Sequence, residues 1–232
     1  WRSRAFKLGS GARLVGILEK NFARWVTWMR YLSMAEAAEA VSAGQLIVYP
    51  TETFFGVGGL ALVENPVLRV YEAKKREPSE PLPVIIGHEN QLPLLVEQPP
   101  EATAALLRAL WPGPLSVIFP AKETVPAVLT AGLNKVAVRL TSHPAARELC
   151  LHCGPLTASS ANIAGERPAT KANEISEELL RACAGVLDMP PAPQGGQPST
   201  LIEIIEPGAL RVVRPGAVSA AVLNQLGWSL VD

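Results

Sequence analysis

A short apolar run, Leu46-Ile-Val-Tyr49, stops at Pro50 and gives way to Thr51, Glu52 and Thr53, then to Phe54-Phe55-Gly56-Val-Gly58. A β-type run that breaks into hydroxyl and carboxylate side chains, and then into glycines, builds a floor that a ligand approaches closely rather than a plain turn. Lys74-Lys75-Arg76 follows within one helix length. Arg76, Ser159, Ser160, Asn162, Ser199, Thr200 and Arg214 each stand just outside an apolar run, which predicts a distributed oxyanion-binding set.

Around this floor, short apolar runs alternate with helix-spaced segments. Helices are expected over about Met34 to Ala43, from a start capped by Asn65 with Pro66 in the first turn on to Lys75, and over Pro100 to Trp111. Further helices are expected over Pro144 to Cys153, Ala172 to Ala182 and Val218 to Leu226. Strands are expected at Leu46 to Tyr49, Pro81 to Gly87, Leu115 to Phe119, Val136 to Leu140, Leu156 to Ala158, Gly185 to Met189, Thr200 to Ile205 and Leu210 to Val213. This order predicts an α/β (α+β) domain built on a mixed, twisted sheet. Pro190 to Pro198 reads as a mobile loop that could serve as a lid.

With 232 residues and 48% hydrophobic content, the chain holds material for one substantial core. Its formal net charge is zero, but the charge is uneven: residues 1 to 33 carry seven Lys or Arg against Glu19 alone, leaving 14 basic and 20 acidic residues for the rest. The basic stretch divides off as an N-terminal extension, residues 1–33, before a catalytic domain over residues 34–232. An organelle transit peptide, a nucleic-acid arm, a packed extension and upstream sequence foreign to the native protein all fit it. Three cysteines, an odd number, argue for a reducing compartment and so for the cytoplasm. No apolar run approaches the roughly 18 residues that a membrane span needs.

Several chemistries lack their residues. Gly56-Val-Gly58-Gly-Leu-Ala61 fits a degenerate dinucleotide pattern, but the acidic residue expected on a second strand is missing, since Glu72 falls within a helix. There is no phosphate loop of the G-x-x-x-x-G-K-[ST] type and no G-x-S-x-G elbow, and His88, His143 and His152 form no nucleophile arrangement. Cys150-Leu-His-Cys153 lies on an apolar helix where cysteines act as small hydrophobes, so no metal site is expected. The basic and hydroxyl set remains. Arg as a fork, Lys as a point charge and hydroxyls between them suit phosphate. Against that stand a solvated helix end for Lys74 to Arg76, a strand-to-loop turn for Ser159 to Asn162 and a surface-paired strand arginine for Arg139.

Seven motifs stand in one order: Pro50-Thr-Glu-Thr-Phe-Phe-Gly56, Lys74-x-Arg76 before Pro81-Leu82, Trp111-Pro-Gly-Pro114, Val136-Ala-Val-Arg139, Ser160-Ala-Asn162, Pro198-Ser-Thr200 and Arg214-Pro-Gly216. In order and approximate spacing the chain resembles the YrdC-type threonylcarbamoyl-AMP synthases over residues 34 to 218, in their single-domain form without the C-terminal domain of longer members. The resemblance implies a twisted open sheet with helices around a concave, positively lined cavity. It implies an enzyme that condenses L-threonine, bicarbonate or CO2, and ATP into threonylcarbamoyl-AMP, releasing pyrophosphate, with Mg2+ usually needed. The product would feed the threonylcarbamoyladenosine modification of tRNA through partner proteins, and direct tRNA or double-stranded RNA binding is a further expectation.

Carried over by motif, Lys74 and Arg76 would be catalytic and, with Ser160, Asn162 and Arg214, would hold the nucleotide. Thr51, Phe55, Arg139 and Ser199 would surround threonine. Three departures are visible: Phe55 where Tyr is frequent, Glu80 where Lys or Asn is common, and Ala164 where Ser is usual. These leave open a non-catalytic paralogue that binds RNA or nucleotide, and also a carbamoyl-transfer role in metal-centre maturation, which would need accessory domains.

Overall fold

Strand alternation decides which residues face the cavity. In the computed structural model, which describes residues 29–231, the chain runs through α1 (Met34–Ser42), β1 (Ile47–Pro50), β2 (Phe55–Gly58), α2 (Glu64–Ala73) and β3 (Val84–Ile86). It continues through α3 (Thr103–Leu110), β4 (Leu115–Pro120), β5 (Lys135–Leu140), α4 (Pro144–Cys153), β6 (Leu156–Thr157) and β7 (Ser159–Ser160). The last elements are α5 (Glu177–Arg181), β8 (Thr200–Glu206), β9 (Ala209–Arg214), α6 (Ala220–Gln225) and β10 (Ser229–Val231).

Seven strands form one mixed sheet in the order β10-β9-β8-β4-β5-β3-β6, and β1, β2 and β7 form a second, antiparallel sheet. Only Ala158 separates β6 from β7, so the chain steps from the large sheet to the small one there. The two sheets therefore share a seam. On the large sheet, Leu115, Val117 and Phe119 of β4, Val136, Val138 and Leu140 of β5, and Ile202 of β8 turn to the main core. The intervening residues, Ser116 and Ile118, Lys135, Ala137 and Arg139, and Leu201 and Glu203, turn to the cavity. On the far side of β1 and β3, α1 and α4 pack over Ile47, Tyr49 and Ile85 in a second apolar cluster.

The elements differ from the sequence expectations where tertiary contacts outweigh local signals. Asn65 does not cap α2: the helix starts at Glu64, Val63 is its cap residue and makes no side-chain cap bond. The single helix expected over Ala172 to Ala182 is a 3-10 turn, Ala172–Glu174, followed by α5, because Ile175 is extended and buried and Ser176 accepts from Leu179 N. In the strand expected over Gly185 to Met189, only Val186 pairs, bridging Tyr31 and Val48. The segment over Pro190 to Pro198 is irregular and is tied down: Gly195 N donates to Thr53 O at 2.8 Å, and His143 Nε2 lies 2.7 Å from Pro191 O.

Residues up to 28 lie outside the described residues, and so does most of the basic extension. Residues 30 to 33 pack on the domain: Leu32 is buried, its N–H donates to Val186 O at 2.9 Å, and Ser33 forms a capping box with Glu36 at the start of α1. Compared with a chain begun at Met29, one begun at Met34 is expected to lose about 2–4 kcal/mol, from the apolar burial of Leu32 and one helix cap. Denaturant unfolding checks this. Equal midpoints for the two chains would mean that the strap contributes nothing.

Candidate functional site

Helix α2 delivers its cations through the way it ends. Lys75 adopts a left-handed conformation with φ 51°, Lys75 N donates to Glu72 O at 3.0 Å, and Arg76 N donates to Tyr71 O at 2.9 Å. This Schellman closure reverses the chain. Lys75 goes outward to an exposed pair with Glu178, while Lys74 and Arg76 face the cavity. A solvated helix end thus describes Lys75 and not Lys74, which is 4% exposed.

The Lys74 ammonium donates to the backbone oxygens of Ser160 and Asn162, each at 2.5 Å. Burial, and then the neighbouring Arg76 charge, brings its pKa down to about 8. Arg76 itself pairs with Glu80, the residue at one of the departures. The Asn162 amide donates to Ile163 O and Glu166 O, both at 2.9 Å, and leaves its buried Oδ1 without a protein donor.

The small sheet supplies a second wall. A Cβ on Gly58 would lie 1.9 Å from Thr157 O, so only glycine lets β2 close against the strand leading to Ser160. That closure pairs Gly56 with Ser160 and Val57 with Ser159. Phe55 is buried beside them, and Thr51 Oγ1 donates to Phe54 O at 2.7 Å. Across the cavity, Arg214 Nη2 donates to Ser199 O at 2.9 Å and Ser199 Oγ at 3.1 Å, and Ser116 Oγ lies 3.1 Å from Ser199 Oγ. Gly216 permits this approach, since a Cβ there would stand 2.3 Å from Pro198 O. Burial, and then the Arg139 charge, lowers the Arg214 pKa from its ordinary value, though an arginine so placed stays charged.

Thr51, Phe55, Lys74, Arg76, Arg139, Ser160, Asn162, Ser199 and Arg214 all line one cavity of about 970 Å3. That volume sits at the upper end of the roughly 300–1,000 Å3 typical of ligand sites. Arg139 is not a surface arginine: it is 6% exposed and pairs with Glu52 at 2.6 Å. Sequence reasoning missed Glu52 as a partner, along with Ser116, Lys135, Glu203 and Arg211. Glu203 accepts from Lys135 at 2.6 Å and from Arg211 at 2.5 Å, and these bonds, the Lys135 one first, hold its pKa below the usual carboxylate value. The alternation of Lys135, Ala137 and Arg139 carries that signal, because a strand that buries one face presents the other to the cavity.

Six cations line the cavity against two carboxylates, Glu80 and Glu203, both engaged by cations. Among the described residues no group of three or more His, Cys, Asp and Glu side chains could hold a metal ion, so they build no all-protein cage for Mg2+. None of the three histidines lines the cavity, and Cys150 and Cys153 are free thiols whose pKa values burial raises. No described helix is long and apolar enough to cross a membrane.

The fold is a mixed-sheet α/β protein, and the chemistry of its cationic concave face, with hydroxyls between the cations, suits an oxyanionic ligand. The family model Sua5_yciO_yrdC, described as telomere recombination, matches residues 39–216. The threonylcarbamoyl-AMP synthase of Pyrococcus abyssi is 39% identical over 184 residues, which cover 78% of this chain and 53% of that protein. A putative threonylcarbamoyl-AMP synthase of Mycobacterium tuberculosis is 35% identical over 191 residues, 82% of this chain and 87% of that protein. The crystal structure of P. abyssi Sua5 complexed with L-threonine superposes with a TM-score of 0.78 at 32% identity, covering 88% of this chain and 61% of that one. The chain belongs to the Sua5/YciO/YrdC family. It spans about half the length of the first curated relatives that it matches.

The close approach at Gly58 yields a test. Gly58→Ala is expected to cost about 1–3 kcal/mol or more, since backbone rather than a flexible side chain must yield. A thermal melt that matches the wild type would show that the two sheets tolerate separation at this point.

Proposed function

We propose that this chain is an L-threonylcarbamoyl-AMP synthase, joining L-threonine, CO2 or bicarbonate, and ATP with release of pyrophosphate. The observation that carries the reading is the convergence of nine side chains from separate segments on one cavity lined by six cations. The names of the relatives, and the threonine bound to P. abyssi Sua5, support it.

In this reading Lys74, Arg76, Ser160, Asn162 and Arg214 hold the nucleotide, with Lys74 and Arg76 acting on the reacting phosphates. Thr51, Phe55, Arg139 and Ser199 hold threonine, with Arg139 facing its carboxylate. The neutral threonine amine attacks CO2 and loses a proton, giving a carbamate. A carbamate oxygen then attacks the α-phosphorus, and the bond to the β-phosphate oxygen breaks to release pyrophosphate. Nucleophile and electrophile are both anionic, so fixed cations lower the barrier by cancelling repulsion and by positioning, without a histidine base. Mg2+ enters as part of the ATP substrate, held by phosphate oxygens and water. Proteins that pass the threonylcarbamoyl group to tRNA, and tRNA itself, are the proposed partners, and the cytoplasm the proposed location.

Mass spectrometry of a reaction with threonine, bicarbonate and ATP should detect threonylcarbamoyl-AMP, and its absence would refute the reading. Arg76→Ala should raise the KM for ATP at least tenfold and that for threonine little, with the reverse for Arg139→Ala. Equal losses would contradict the division of roles. Protonated Lys74 is the phosphate-binding form, so kcat/KM for ATP should fall as pH rises through about 8. At matched CO2 supply Lys74→Arg should move that fall beyond pH 10, and an unmoved profile would remove Lys74 as its cause.

A further inference from the structure

Resting on that reading, we infer that Glu52 is a positioning residue, which aims Arg139 at the carboxylate of the amino-acid substrate before the substrate arrives. Arg139 projects from β5 of the large sheet, and Glu52 follows β1 of the small one. Their side chains are 7% and 11% exposed. Glu52 Oε1 accepts from Arg139 Nη1 at 2.6 Å, and Oε2 accepts from Thr141 Oγ1 at 2.6 Å. Both carboxylate oxygens are thus committed, to two residues of the same segment, and the carboxylate plane is fixed. The backbone is held as well, because Glu52 O accepts from Gln194 N at 3.3 Å.

A guanidinium this deeply buried needs a counter-charge, and removing one partner of such a pair leaves the other charge uncompensated. Among the described residues only Nη1 of Arg139 finds an acceptor. The other edge of the fork, Nε and Nη2, keeps donors for a ligand carboxylate, the geometry that a planar guanidinium matches with two bonds. Swinging that edge away would break a largely desolvated ion pair across the seam between the sheets. Arg139 therefore meets its ligand already oriented, and binding loses little side-chain entropy. Glu52 is not among the residues that line the cavity; it acts through Arg139.

Calorimetric titration with L-threonine, and separately with ATP, tests this on the full chain. Glu52→Gln, which keeps the shape and removes the charge, is expected to weaken threonine about tenfold, with ATP affinity within twofold. In an Arg139→Ala background the same substitution should add less than twofold, because nothing is left to aim. Unchanged threonine affinity, equal losses for threonine and ATP, or a full tenfold loss in the Arg139→Ala background would each overturn the inference. Should Glu52→Gln melt far below the wild type, Thr141→Val, which frees only Oε2, is expected to weaken threonine two- to threefold, and no change would overturn the proposal. A wild type that forms product while Glu52→Gln binds threonine normally defeats only the role of Glu52. A wild type that binds no threonine defeats the proposed function, and this role with it.

Discussion

Six like charges facing one cavity repel each other, and the fold tolerates them because each is held by an acceptor, Lys135 and Arg211 sharing one. Lys74 is held by two backbone oxygens, Arg76 by Glu80, Arg139 by Glu52, Arg214 by Ser199, and Lys135 with Arg211 by Glu203. The acceptors differ in depth. Glu80 is exposed and Glu52 nearly buried, so under the proposed function the first pair would exchange with an incoming phosphate while the second acts as a fixed strut. The cavity keeps a positive potential and its cations keep their places.

The two-sheet construction makes this arrangement possible. Period-two alternation gives the large sheet one apolar face and one mixed face that carries the charged and hydroxyl residues, and the step at Ala158 brings Ser160 from the small sheet over the same cavity. Glycine at positions 58 and 216 lets backbones meet where any side chain would hold them apart. Burial then sharpens the chemistry. The same desolvation that brings Lys74 to a pKa of about 8 would strengthen its hold on the anion of the proposed substrate, since fewer waters screen it.

Most of the strands were legible because alternation and apolar runs are local properties. Val136 to Leu140 read as a strand whether or not its pairing partner was known. The candidate residues were legible too, as residue types recurring at strand ends, and all nine meet at one cavity. What the sequence withheld depends on partners far along the chain. Glu52 looked like one polar residue among three until Arg139, 87 positions away, was seen beside it. The break at Ile175 reflects burial rather than helix spacing, and the strap at Leu32 and Ser33 was hidden inside a stretch that read as a basic extension.

The proposed function requires that one pocket hold a carbamate beside the α-phosphate of ATP. Exchange of labelled pyrophosphate into ATP tests it most directly, because it reports reversible formation of the mixed anhydride. Exchange that needs threonine and bicarbonate together is the expected result. Exchange supported by threonine alone, which would mean attack by its carboxylate, or no exchange under any combination, would contradict it.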